Sequence, residues 1–326
     1  MLVLTDNVPR SAAIVSPSTA WAPCHIGDLS SGDGALWRAL GPSDRLWIAD
    51  LAVDDDSSFW SRLVIIDEAP ESQFDAVREL YRSQQRLEGP VACVALTGRR
   101  FHGHRERTWV AERGNLHLSV GFEPRLPAQQ VLPALTMLPA VAAVDAVSSV
   151  THGAVRPGIK WVNDVLVDGR KVAGVLTSTQ TRQTIVDSAV LGIGLNVAHA
   201  PAVPATVFVP EVGCLARCHA GRSVTLAEVS WSLLRELARH LERLRTAGPE
   251  QLLHRYRNGS LVLGKPVRIY DETFGERLLD EPWPEPLARG RVERIESDLS
   301  LRLEGCREAV TKGRLAFERA CRRLGL

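Results

Sequence analysis

Residues 159–178, IKWVNDVLVDGRKVAGVLTS, constrain the chain more than any other stretch. Two runs rich in Val and Leu flank Asp168-Gly169, a dipeptide that supplies the positive φ angles of a tight primed turn, so a β-hairpin is expected here. Other strands read from the same kind of evidence. RLVIID from Arg62 and VACVAL (91–96) are apolar runs, and AVLGIGLNV (189–197) is a run broken by glycines. NLHLSVGF alternates, with Leu116, Leu118, Val120 and Phe122 on one face and His117, Ser119 and Gly121 on the other, so one face packs while the other is free to line a cleft.

Helical periodicity appears between these runs. Phe74, Val77, Leu80 and Tyr81 fall at helical spacing. The stretch from Val131 to Val150 is long and apolar but contains Pro133, Pro139 and Asp145, which predicts a buried helix with a proline-adjusted start rather than a bilayer span. TLAE at Thr225 is a capping box, and Leu226, Val229, Leu233, Leu237, Leu241 and Leu244 form a core stripe. After RNGS (257–260) the text changes to short strands between turns, which suggests a small closing β-barrel. Residues 1–61 hold four of the eight tryptophans among Gly, Ser and Asp-rich turns, and are expected to be folded but irregular, without a helix-turn-helix.

At 326 residues the chain has room for two or three domains, and 39 Lys and Arg against 38 Asp and Glu give no general affinity for nucleic acid or anionic membrane. Six irregularly spaced cysteines fit a reducing compartment, and the first residues lack the pattern of a signal peptide, so a cytoplasmic location is expected. Cys214 and Cys218 have no second pair at metal spacing and read as partly buried thiols.

Three groups carry chemistry. Lys160 lies in an alternating strand, followed by Asn163 and Asp164; lysine, amide and carboxylate at one strand end can hold a phosphate, a carboxylate and a magnesium ion. Gly192 and Gly194 sit inside a strand, where glycine marks a close approach, and Asn196 adds a donor and an acceptor; no helix follows as a dinucleotide fingerprint requires. Residues 99–109, RRFHGHRERTW, form a donor-rich loop able to fold over a polyphosphate. A solvated loop, or a metal site using His102, His104 and His117, are the other readings of that segment.

Taken in order, RTWVAERGNLHLSV, GIKWVNDVLVDGRKVAGVL and VLGIGLNV resemble the biotin protein ligases, over roughly residues 63–200. The resemblance implies an α/β fold with a mixed-sheet catalytic domain of the biotin/lipoate ligase type at 62–258, a small C-terminal SH3-like barrel at 259–326, and residues 1–61 as an extension of unknown role. It implies that ATP and biotin, with Mg2+, give biotinyl-5′-AMP, and that the acyl group then passes to a lysine of a carboxylase biotin carrier domain. It implies that Lys160 is catalytic. Trp109, Gly114, Asn115, Leu116, His117, Ser119, Gly174, Glu71, Ser72 and Gln73 would shape the biotin pocket. Gly103, His104, Arg105, Arg107, Asn163, Asp164, Gly192, Gly194 and Asn196 would approach ATP and the adenylate, with Asp164 also a metal ligand.

The chain departs from the family pattern in three places. The usual Gly-Arg-Gly-Arg-x-Gly-Arg-x-Trp loop stands as Phe101 to Trp109, with His102 and His104 replacing arginines. Ser-Thr-Asn stands as Glu71-Ser72-Gln73, and Lys-Trp-Pro-Asn-Asp as KWVND. Histidine lacks the guanidinium fork, so a weaker, pH-dependent hold on the adenylate is expected. A lipoate or octanoate ligase, or a ligand-binding homologue without catalysis, are the alternatives. No nucleic-acid or membrane partner is expected, and a homodimer is compatible with the sequence.

Overall fold

The computed structural model describes residues 1–85, 87–209, 211–218, 223–274 and 284–318. In chain order the strands are β1 (Leu2–Thr5), β2 (Ala22–His25), β3 (Arg45–Asp50), β4 (Arg62–Ile66), β5 (Val91–Ala95), β6 (Leu116–Phe122), β7 (Leu126–Pro127), β8 (Gly158–Lys160), β9 (Asp164–Val167), β10 (Arg170–Arg182), β11 (Ile185–Leu195), β12 (Pro266–Tyr270), β13 (Ala288–Ile295), β14 (Leu301–Leu303) and β15 (Arg314–Phe317). The helices are α1 (Val8–Ser11), α2 (Ser31–Leu40), α3 (Gln73–Arg82), α4 (Ala128–Val150), α5 (Leu215–Cys218), α6 (Leu226–Ala247) and α7 (Glu250–Asn258).

Among the described residues, eleven strands form one mixed sheet in the order β2-β3-β1-β4-β5-β6-β11-β10-β9-β8, with β7 also on β11. β4 runs parallel to β1 and β5, and the other pairs are antiparallel. The alternation in β6 sorts as expected: Leu116, Leu118, Val120 and Phe122 enter the core under α4 and α6. The opposite face carries α2 and α3 over Leu4, Val64, Ile66, Cys93 and Ala95. The 168–169 turn has φ of 50° and 81°, and pairs Val167 with Arg170. α6 starts with the complete Thr225–Glu228 capping box.

Two expectations need correction, and a third is met in its coarser part. Residues 1–61 are not an irregular extension apart from 62–258: β1 is hydrogen-bonded between β3 and β4, and Trp37, Leu36 and Leu40 of α2 are core residues. Strands of four to six residues, one of them largely exposed and one half exposed, leave no period to read. α4 begins at Ala128, so Pro133 and Pro139 are inside it rather than at its start. Burial of its Ala, Val and Leu side chains outweighs the cost of about 3 kcal/mol for an interior proline. It is long and apolar enough to cross a membrane, but it is packed as a core helix. Finally, β12 to β15 form an open antiparallel sheet, β14-β13-β12-β15, in which no pair joins the outer strands to close a barrel among the described residues.

Polar ties fix the layers. Asp145 of α4 binds His240 of α6 at 2.8 Å and Arg255 of α7 at 2.5 Å. The Trp60 indole donates to Leu234 O at 3.0 Å and that of Trp231 to Ile14 O at 2.9 Å, sewing the first sixty residues onto α6. Trp161 donates to Leu299 O at 2.7 Å, holding the smaller sheet against the end of β8.

Candidate active site

β8 stops at Lys160, because residues 161–163 turn the chain back into β9; the continuous strand expected through KWVND does not form. The turn makes Lys160 and Asp164 cross-strand partners, with their charged groups 4.0 Å apart. Lys160 is 5% exposed and its ammonium donates to Phe208 O at 2.7 Å. Burial pushes its pKa down to about 8, and the Asp164 charge offsets this only in part.

A second lysine, absent from the residues expected from sequence, completes the group. Lys171 on β10 places Nζ 2.6 Å from Asp164 Oδ1 and 5.9 Å from the centre of the Trp109 ring. A β-bulge between Lys171 and Ala173 brings it toward Asp164, and this irregularity is why strand alternation does not reveal it. Burial opposes ionisation of Asp164, yet the charges of Lys171 and Lys160 hold its carboxyl below the usual range. With two ammonium groups facing its oxygens, Asp164 does not fit the expected role of metal ligand.

β10, β11 and β6 form the floor. Gly174 pairs with Gly194, and Gly192 with Ser119. A Cβ at Gly194 would lie 2.3 Å from the Trp109 ring, and one at Gly192 would lie 3.0 Å from Phe74, so these glycines exist to let aromatic rings lie on the strands. The Trp109 indole donates to His117 Nδ1 at 3.2 Å; His117 therefore carries its proton on Nε2 and donates it to Glu112 O at 3.2 Å. Burial lowers the His117 pKa to about 4, which keeps it neutral and its acceptor free for Trp109.

The loop between β5 and β6 folds back on itself. His102 bridges to Thr108, Gly103 N donates to Arg107 O, and left-handed Arg105 and Glu106 form the tip. It is tied on two sides, by His102 to Asp75 of α3 at 2.5 Å and by Arg105 to Glu272 after β12. Burial works against the charged form of His102, but the hydrogen bonds to Asp75 and Gly103 O, with the Asp75 and Glu106 charges, raise its pKa. His104 moves the other way, through desolvation and the charge of Arg107.

These elements enclose a cavity of about 530 Å³. Of the residues singled out from sequence, Ser72, His102, Gly103, His104, Arg107, Trp109, His117, Ser119, Lys160, Asn163, Asp164, Gly174, Gly192 and Gly194 line it. The others do not. Asn115 is fully buried and clamps the chain after β11, its Oδ1 accepting from Val197, Ala198 and His199 N. Gly114 provides the turn before it at φ 90°, and Leu116 is core. Glu71 pairs with Arg100 at the surface, Arg105 with Glu272, and Gln73 is buried. Asn196 donates to Gly213 O at 3.0 Å behind the floor. Phe208, Asp298, Lys312 and Arg314 line the cavity without any local signal to mark them.

Residues 71–196 match the model of the Biotin/lipoate A/B protein ligase family. The chain is 31% identical over 238 residues to the Biotin--[acetyl-CoA-carboxylase] ligase of Mycobacterium tuberculosis, covering 71% of this chain and 83% of that protein. It is 38% identical over 96 residues to the Bifunctional ligase/repressor BirA of Bacillus spizizenii, of whose length the alignment spans only 29%. The structure of the biotin protein ligase of Aquifex aeolicus in complex with biotin and ATP superposes with a TM-score of 0.59 at 18% identity, over 79% of this chain and 98% of that one; the likeness is one of fold.

Proposed function

Because the chain belongs to the biotin/lipoate A/B protein ligase family, we propose that it activates biotin with ATP as biotinyl-5′-AMP and transfers the biotinyl group to a lysine of a carboxylase carrier domain. The observation that carries this reading is the pair of ammonium groups, Lys160 and Lys171, held about Asp164 beside a glycine floor in one cavity. A carboxylate must approach a triphosphate of like charge, and fixed cations in a partly dry site oppose that repulsion. A biotin carboxylate oxygen attacks the α-phosphorus, the bond to the β-phosphate breaks, and pyrophosphate leaves. The neutral amine of the carrier lysine then attacks the acyl carbon, AMP departs, and the ammonium proton is lost.

Ser72, His117, Ser119, Trp109 and Gly174 are assigned to the acid, and Gly103, His104, Arg107, Asn163, Gly192 and Gly194 to the nucleotide. Mg2+ enters with the triphosphate of ATP. Trp109 covers the adenylate and keeps water from it. Residues 62–258 carry the chemistry, and the sheet from 259 onward is an SH3-like unit that closes one wall of the site. We place the enzyme in the cytoplasm, acting on protein rather than nucleic acid or membrane.

Pyrophosphate–ATP exchange with biotin, lipoate, octanoate or no acid tests the reading. Exchange that depends on biotin, followed by labelling of a carrier domain, is expected. Exchange with lipoate or octanoate alone would transfer the site to that acid, and a folded protein inactive with all three in MgATP would refute acyl activation.

A further inference from the structure

The chain holds 39 Lys and Arg, yet only four are lysines: Lys160, Lys171, Lys265 and Lys312. Three of these four line the same cavity. Lys160 and Lys171 belong to the group already described. Lys312 comes from elsewhere, on the connection from β14 to β15 in the smaller sheet, and it is exposed. Gly313 sets its position: with φ of 137° and a would-be Cβ 2.5 Å from Ile269 Cγ2, this residue admits no side chain, and it brings the connection tight against β12. The next residue, Arg314, is buried with its guanidinium 3.8 Å from the centre of the Phe208 ring, and Phe208 O is the acceptor for Lys160. The backbone carrying Lys312 is therefore anchored through Phe208 to the lysine at the centre of the site.

The charges in the cavity are divided unevenly. Lys171 and Lys160 share Asp164, and Arg314 donates to Phe274 O at 2.7 Å. Arg107 of the loop and Lys312 of the smaller sheet also line the cavity, but among the described residues neither side chain makes a hydrogen bond or an ion pair. Other cations without such bonds, Arg38, Arg156 and Lys265 among them, lie outside the cavity; it is the shared place of Arg107 and Lys312 on its wall that makes them available to negative charge entering it. The loop has a histidine at 102 committed to Asp75 and another at 104 whose pKa is lowered. It thus supplies less fixed charge than its length allows, and the smaller sheet contributes the cation it lacks.

We propose that Lys312 is a polyphosphate-binding residue, which with Arg107 receives the β- and γ-phosphates of ATP and steadies the departing pyrophosphate. The proposal rests on the ligase reading above. The buried Lys160 and Lys171 suit the carboxylate and α-phosphate, and an exposed lysine on a connection suits the more solvated end of the triphosphate. No proton moves through Lys312: the α-phosphorus bond to the bridging oxygen breaks, the electron pair leaves with pyrophosphate, and the ammonium balances the charge.

The test compares wild type with Lys312→Ala, Lys312→Arg and Lys265→Ala, the last removing the one lysine outside the cavity. ATP binding is measured by calorimetry without any acid, and exchange kinetics are measured with biotin. Loss of one charge-assisted contact should weaken ATP binding and raise KM for ATP and pyrophosphate by roughly 10-fold in Lys312→Ala. KM for biotin and Tm should stay unchanged, Lys312→Arg should recover most of the loss, and Lys265→Ala should behave as wild type. Equal ATP affinity in wild type and Lys312→Ala would overturn the proposal, as would an equal loss in Lys265→Ala. Normal exchange with slowed carrier labelling would overturn it too, in favour of a docking role. If wild type binds ATP but exchanges with no acid, the ligase reading fails, and the calorimetric comparison still decides whether Lys312 holds the phosphates.

Discussion

Asn115→Ala separates two roles that a buried amide beside an active site can have. As a ligand contact, its loss would raise KM and leave the fold alone. The structure gives it the opposite role. Its Oδ1 accepts from Val197 N at 3.0 Å, Ala198 N at 3.2 Å and His199 N at 3.1 Å, and Nδ2 donates to His199 O at 2.9 Å. The bond to Val197 N is buried, so alanine leaves that N–H unsatisfied at about 1–3 kcal/mol, while each of the three part-buried bonds contributes about 0.5–1.5 kcal/mol. Since one oxygen shared by three donors makes none of the three bonds at full strength, the loss should be about 3–5 kcal/mol. At about 2 °C per kcal/mol for a chain of this size, Tm should fall by about 6–10 °C. The assays are urea unfolding followed by circular dichroism, and exchange kinetics at a temperature where the variant is folded. The midpoint should fall with KM for acid and ATP unchanged. An unchanged midpoint with raised KM would refute the clamp and restore Asn115 to the pocket.

Lys160→Ala should abolish exchange and leave a folded protein, which near-ultraviolet circular dichroism would verify; retained exchange would remove Lys160 from the chemistry. Because Lys160 has a folded pKa of about 8 against 10.5, activity requiring its charge should fall as pH rises through about 8, whereas the cost of burying that charge disappears and stability rises from there to about 10.5; a rate flat to pH 9.5 would contradict this. The raised pKa of His102 means that the charge-assisted part of its bond to Asp75 is at full strength below pH 6.5 and is lost as pH climbs through the raised value, so trypsin cleavage at Arg105 or Arg107, normalised at each pH to cleavage of an unstructured arginine peptide, should be faster at pH 8.5 than at pH 6, and Asp75→Asn should erase that normalised difference. Gly194→Ala should expel the Trp109 ring or cost about 1–3 kcal/mol of overpacking, read as lost stabilisation by biotin with MgATP; undiminished stabilisation would show that the ring is not part of the ligand cover.

Features with a local cause are legible in the sequence. The 168–169 turn, the two faces of β6 and the capping box of α6 depend on residues within a few positions of one another. Features caused by distant partners are not. Asn115 has the look of a ligand contact, and only the return of residues 197–199 to its side gives it another task. β1 is an ordinary tetrapeptide until β3 and β4 close on it. Lys171 is displaced by a bulge, and Lys312 and Phe208 reach the cavity only because the smaller sheet packs there. Glycines inside β11 mark a close approach, and the groups that approach are Trp109 and Phe74.

The two indole ties between the first sixty residues and α6 also bear on synthesis at the ribosome. Trp60 must find Leu234, 174 residues later, and Ile14 must wait for Trp231, 217 residues later. At about 5–20 residues per second these partners emerge roughly 10 to 40 s after the segments they secure. During that interval β1 can already zip onto β4, but the apolar side chains meant for α6 face solvent and whatever holdase is at the tunnel exit. A message that pauses between codons 60 and 230 would lengthen this exposure, so the yield of soluble protein should depend on translation speed in that window more than in the last hundred codons.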